Sequence, residues 1–161
     1  MAVLIRPAAP ADSPLILAFI RELAEYERLA HEVKITLADL QEMLFAALPK
    51  AFCDIAELNG DAVGFALWFY NVSTFDGRHG LYLEDLFVRP AARGAGAGKA
   101  LLAYLARRCV AEGLTRMEWS VLGWNAPAIG FYDSLGATSK TEWITRQLRG
   151  EALAVLAEGR T

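Results

Sequence analysis

Residues 82–99 read YLEDLFVRPAARGAGAGK. The stretch begins as an apolar run of strand character, interrupted by two carboxylates, Glu84 and Asp85. It passes through Arg89-Pro90, reaches a glycine-rich turn and opens into a helix at Lys99-Ala100-Leu101-Leu102. An inward carboxylate among Leu81, Leu83, Leu86 and Phe87 would have a raised pKa, because burial penalises its charged form. Such a group, one loop away from a phosphate-sized nest of amides, points to proton transfer beside a bound phosphate.

The nest is Arg93-Gly94-Ala95-Gly96-Ala97-Gly98. Free amides at a helix N-terminus point outward and the macrodipole makes that end positive. Glycine and alanine let a ligand approach the backbone, so phosphate or pyrophosphate binding follows, with Arg93 and Lys99 adding charge. The bland alternative is a flexible turn that only packs the helix. A dinucleotide GxGxxG needs a glycine where Lys99 stands, and a P-loop needs Ser or Thr where Ala100 stands and glycine where Arg93 stands.

Outward from this stretch, Val3–Arg6 reads as a strand ended by Pro7 and Pro10. Asp12 or Ser13 caps a helix running to about Glu27, with Leu15, Phe19, Leu23, Ile16 and Ile20 on one face. Thr36 caps a second helix carrying Leu37, Leu40 and Leu44. Ala51–Leu58 and Ala62–Tyr70 form a hairpin about Asn59-Gly60, and the return strand is apolar on both faces and therefore central. After a loop at Ser73–Gly80 comes the strand Leu81–Val88. The following helix runs from about Gly98 to Glu112 and buries Leu101, Leu102, Leu105 and Cys109. Arg116–Leu122 reads as a strand, Asn125–Leu135 as a short helix with Pro127 in its first turn, Glu142–Arg149 as a last strand and Ala152–Ala157 as a frayed helix. Order β α α β β β α β α β predicts an α/β fold: a mixed, mostly antiparallel sheet with helices on both faces, in one domain spanning 1–161.

The 161 residues fit one domain, and an apolar fraction of 55% supports one substantial core. A net charge of −3 without a clustered basic face argues against nucleic-acid binding and is compatible with cationic substrates. Cys53 and Cys109 show no CxxC spacing, so a reducing cytoplasm is expected. No secretory signal is visible, and no apolar run reaches ~18 residues, so no membrane span is expected. His31 and His79 are isolated, giving no metal cluster, and no GxSxG occurs. The cysteines sit on apolar faces, which disfavours a cysteine acyl-enzyme.

Arg93-x-x-Gly96-x-Gly98 resembles the (Q/R)-x-x-G-x-(G/A) pyrophosphate loop of the GNAT N-acetyltransferases, and nearly the whole chain follows that family's element order. YLEDLFV (82–88), RGAGAG (93–98), WNAPAIGFYDSLGA (124–137) and ELAEYE (22–27) are similar to the spermidine/spermine group, which includes diamine and thialysine acetyltransferases. The resemblance implies direct acetyl transfer from acetyl-CoA to an amine, and a homodimer with the strand from Glu142 and the terminal segment as candidate interface. It implies that the backbone of Leu86, Phe87 and Val88 holds the pantetheine arm and thioester. A bulge near Asp85-Leu86 would splay the strands there. Gly94, Ala95, Gly96, Ala97, Gly98 and Lys99, with Arg93, would hold the pyrophosphate, and Asn125 would contact the cofactor or serve equally as an N-cap.

The resemblance further implies Tyr132 as the acid that protonates the departing thiolate, against the alternative of an aromatic packed in the core. It implies Glu84 as acceptor of the amine proton through water; for Glu84 and Asp85 the structural alternative is a buried ion pair or a capped bulge. Deprotonation matters, since an amine of pKa ~10.4 is only about one part in a thousand neutral near pH 7.4, a cost of roughly 4 kcal/mol. Tyr26, Glu27, Phe75, Asp85, Glu118, Trp119 and Glu142 fall at or near acceptor-site positions, where aromatics and carboxylates suit an aliphatic ammonium. The loop before Trp143 is shorter than in the polyamine enzymes, which weighs against spermidine and spermine, and Trp119 narrows an acceptor pocket. The expected acceptor is a small amine: a polyamine, a diamine or a lysine analogue such as thialysine. Rival readings are a GNAT enzyme acting on a peptide amine or aminoglycoside, and a non-catalytic acyl-CoA-binding module.

Overall fold

In the computed structural model, which describes residues 2–159, five strands pair in chain order. They are β1 (Val3–Pro7), β2 (Phe52–Leu58), β3 (Asp61–Ser73), β4 (Arg78–Val88) and β5 (Met117–Trp119). The first three junctions are antiparallel and β4–β5 is parallel. Asn59 and Gly60 turn β2 into β3 with φ of 55° and 90°, the left-handed pair that matches the twist of a two-residue hairpin. Phe65, Ala66, Leu67 and Trp68 are all buried, as a central strand covered on both faces requires.

Three helices cover this sheet: α1 (Ser13–Tyr26), α2 (Leu37–Phe45) and α3 (Ala97–Glu112). The side chain of Thr36 accepts from the Asp39 amide, and the Asp39 carboxylate accepts from the Thr36 amide, a reciprocal cap that starts α2. α1 and α2 bury Ile16, Phe19, Leu23, Leu40 and Leu44 against Ile55, Phe65 and Phe87. Phe19 stacks on Phe65 with ring centroids 5.5 Å apart. The opposite face receives α3 through Leu101, Leu102, Leu105 and Cys109. There the Trp68 indole donates to the Asp54 carboxylate at 2.8 Å and lies under the Arg108 guanidinium.

The chain divides into two compact units, one ending at Leu122 and one beginning at Gly123. All elements above belong to the first. The second holds α4 (Ala126–Ser134) and α5 (Gly150–Ala157). The expected strand at 116–122 is confined to Met117–Trp119, and the loop expected at Ser73–Gly80 shrinks because β3 runs to Ser73 and β4 starts at Arg78.

The expected strand at Glu142–Arg149 does not form. Its alternation is real, but a strand needs a neighbour to complete its ladder, and the described residues of its unit include no other strand. Trp143, Ile144 and Leu148 are left 68%, 80% and 50% exposed.

Candidate active site

β3 and β4 are in register from Ser73 opposite Arg78 to Trp68 opposite Leu83. Register resumes with Leu67 opposite Asp85 and runs to Gly64 opposite Val88. Glu84 lies between the two ladders with no partner, a β-bulge one residue before the expected Asp85-Leu86. Directly opposed residues project from the same face of a sheet. Leu83, opposite Trp68, therefore faces α3, whereas Asp85 and Phe87, opposite Leu67 and Phe65, face α1 and α2. β5 pairs with β4 only from Leu81 to Leu83. β5 ends opposite Leu83, and among the described residues no strand pairs with Asp85–Val88 on that side.

The bulge also decides which carboxylate is desolvated. An inward Glu84 was expected, but Glu84 is exposed at the bulge. Asp85 is the group surrounded by protein atoms, although part of its surface stays open. Its carboxyl is pushed up to about 7, by burial first and then by the charges of Glu84 and Glu27. Burial also raises Glu27, which directly follows α1.

Gly94 and Gly96 hold φ of 84° and 86°, a region that favours glycine, and a Cβ at either would meet only open space. Gly96 is the N-cap of α3, and no side chain caps the helix. The first-turn amides of Ala97, Gly98 and Lys99 have no partner within an α-helix and project from its end. Lys99 and Arg93 are exposed beside them. Arg93 donates from Nε to the Val88 carbonyl at 3.1 Å, and its guanidinium sits 4.6 Å from the Tyr26 ring centroid. Open left-handed glycines, an uncapped helix start and two cations fit a pyrophosphate. The unpaired side of Leu86, Phe87 and Val88 fits an extended amide-bearing arm.

Trp119 ends β5 directly opposite Leu83, beside the bulge. Tyr26, Glu27, Glu84, Asp85 and the 93–99 turn thus converge within the first unit. Two expected residues stand apart. Phe75 is 94% exposed in the β3–β4 turn, six residue pairs from the bulge, or roughly 20 Å of strand. Glu118 already accepts from Asn71 at 3.1 Å and pairs with Arg116 at 2.8 Å, so its carboxylate is held in a structural network.

In the second unit Asn125 is the N-cap of α4 and accepts from the Ala128 amide at 3.3 Å. Tyr132 lies on α4 with its ring 5.5 Å from that of Phe131. Glu142 is exposed in the turn between α4 and α5. A contact that sequence reasoning did not reach joins Glu22 on α1 to Arg89 directly after β4. The two are 67 residues apart, so the one available signal was a charge on α1 lying off its apolar face.

The acetyltransferase (GNAT) family model matches residues 17–137. A thialysine N-epsilon-acetyltransferase of Bos taurus is 37% identical over 96% of this chain and 97% of its own length. An L-ornithine N5-acetyltransferase of Arabidopsis thaliana is 32% identical over 94% of this chain and 86% of its own. Among solved structures, an integron cassette protein from V. cholerae superposes with a TM-score of 0.81 at 25% identity, covering 98% of this chain and 99% of its own.

Proposed function

The chain belongs to the acetyltransferase (GNAT) family, and from that premise we propose that it transfers acetyl from acetyl-CoA directly to a primary amine of a small molecule. It is an N-acetyltransferase. The acceptor class we assign is a diamine, a polyamine or a lysine analogue such as thialysine; the thialysine and L-ornithine acetyltransferases among its relatives support the lysine-analogue end of that range. The observation that supports the reading is the bulge at Glu84, which sets the largely desolvated Asp85 next to an unpaired strand backbone and an open glycine turn.

When bound, acetyl-CoA supplies an activated thioester. The amides of Gly94–Lys99, with the side chains of Arg93 and Lys99, would hold its pyrophosphate. The backbone of Leu86–Val88 holds its arm. Tyr26, Glu27 and Trp119 bound the acceptor's end of the unit. Asp85 takes the amine proton, and Glu84, exposed beside it, passes that proton toward solvent. Tyr132 would serve as the general acid, its hydroxyl supplying a proton to the thiol that the donor releases.

The test is thiol release measured across diamines, polyamines, thialysine, aminoglycosides and peptides. Turnover with diamines or thialysine is expected, and a preference for peptides or aminoglycosides would overturn the acceptor class. Turnover with none of these amines, despite acetyl-CoA binding, would overturn the enzyme's proposed reaction. Gly96→Val tests the turn separately. A side chain forced into the left-handed region costs ~1–2 kcal/mol, so KM for acetyl-CoA should rise about tenfold with the amine KM unchanged. An unchanged acetyl-CoA KM would remove the turn from the donor site.

A homodimer and a cytoplasmic setting complete the reading. Support for the first is the apolar, unladdered segment around Trp143, Ile144 and Leu148. Ile144→Asp should shift sedimentation from dimer to monomer, and an unaltered dimer would place the interface elsewhere. Support for the second is that Cys53 and Cys109 are free and buried. Among the described residues no helix is long and apolar enough to cross a membrane.

A further inference from the structure

Arg89 stands at the junction between the β4 backbone and the glycine turn. Its Nη2 and Nε donate to the two oxygens of Glu22 at 2.8 and 3.0 Å. Its Nη1 donates to the Ala62 carbonyl at 3.3 Å, and its amide donates to the Val63 carbonyl at 2.8 Å. Its guanidinium lies 4.7 Å from the Phe19 ring centroid. One side chain thus joins α1, the start of β3 and the end of β4.

Four residues later, across the single 3-10 turn Pro90–Ala92, Arg93 rests on Tyr26. Phe19, Glu22 and Tyr26 are spaced i, i+3 and i+7, which places them along one face of α1. The segment that enters the glycine turn is therefore fastened to α1 at two points, by two guanidinium planes on two aromatic rings. Only the first also has a bidentate carboxylate. The ion pair is about one-third exposed, so its charge alone contributes little. What it supplies is direction. A planar fork on a carboxylate fixes the guanidinium in two dimensions, and Phe19 fixes the third.

We propose that Arg89 and Glu22 are positioning residues that clamp the glycine turn to α1, so that the donor turn and the acceptor-side residues Tyr26 and Glu27 keep a fixed separation. This rests on the donor role given above to the turn. Neither residue touches the reacting atoms; both act through the placement of Gly94–Gly98.

The experiment compares wild type, Arg89→Lys, Glu22→Gln and the double variant in two measurements. The first is amide hydrogen exchange of residues 90–100 in protein without ligand. Each single variant should exchange roughly fivefold faster there, and the double variant no faster than the singles, because the two side chains act as one device. The second is steady-state kinetics. The KM for acetyl-CoA should rise about fivefold while kcat and the amine KM stay within about twofold. Unchanged exchange at 90–100, or a lowered melting temperature with an unchanged acetyl-CoA KM, would reduce the pair to a structural contact and overturn the clamp. Faster exchange in the variants of a protein whose wild type gains no thermal stability from acetyl-CoA would leave the clamp standing and overturn the donor role of the turn instead.

Discussion

Asp85→Asn should lower kcat/KM for the amine about 10²-fold at neutral pH, the low end for loss of a positioned general base. It should also remove the acidic limb of the pH profile. In wild type that limb follows Asp85, whose carboxyl is held up to about 7 by burial and by the charges of Glu84 and Glu27. The asparagine is nearly isosteric, so loss of activity with the limb retained would assign the limb to another group.

The same substitution should raise stability above about pH 4. The native carboxyl lies above its ordinary 3.8, so the folded chain holds this proton more tightly than the unfolded one. The contribution of Asp85 to stability is intact below the unfolded value and is lost as pH rises from about 4 through about 7. At ~1.4 kcal/mol per unit the loss is of order a few kcal/mol, reduced by the part of the carboxyl still open to water. Asparagine carries no such burden. Melting temperatures of wild type and variant should coincide near pH 4 and diverge in favour of the variant by pH 8. A variant less stable than wild type at pH 8 would contradict a desolvated Asp85.

Tyr132→Phe should lower kcat about 10²-fold while the acetyl-CoA affinity, read as a thermal shift, stays within about twofold of wild type. Phenylalanine keeps the ring beside Phe131 on α4 and deletes only the hydroxyl. Unchanged turnover would strip Tyr132 of the acid role. A large fall in acetyl-CoA affinity with kcat preserved would recast it as a binding residue. Combined with Asp85→Asn, it separates proton removal from proton delivery: the first variant loses the acidic limb, and the second keeps it.

The hairpin at Asn59-Gly60, the Thr36 cap and the α3 start were legible in the sequence because each is a local signal with one physical solution. The glycine turn was legible for the same reason: Gly94 and Gly96 take backbone angles that few other residues tolerate. The bulge was not. YLEDLFV contains nothing that tells which residue will be left unpaired, because that depends on the register with β3. The assignment of the buried carboxylate failed with it, since Glu84 and Asp85 differ in burial only through the bulge. The strand expected at Glu142–Arg149 shows the converse. Alternation was present, but pairing is a property of two segments, and the sequence names only one. Glu118 likewise falls near an acceptor-site position in the sequence, and its contacts with Arg116 and with Asn71, the latter set by the tertiary fold, hold it elsewhere.

One extra residue in β4 also acts as a phase shifter. Leu81, Leu83, Asp85 and Phe87 all carry odd numbers, yet the first two look toward α3 and the last two toward α1 and α2. Glu84 advances the pleat by half a period, letting a single strand serve two cores in succession. Removing that residue would keep the composition of the strand almost intact and still turn one half of it inside out. At this position, therefore, chain length is more tightly constrained than side-chain identity: another residue at 84 preserves the architecture, whereas a gap does not.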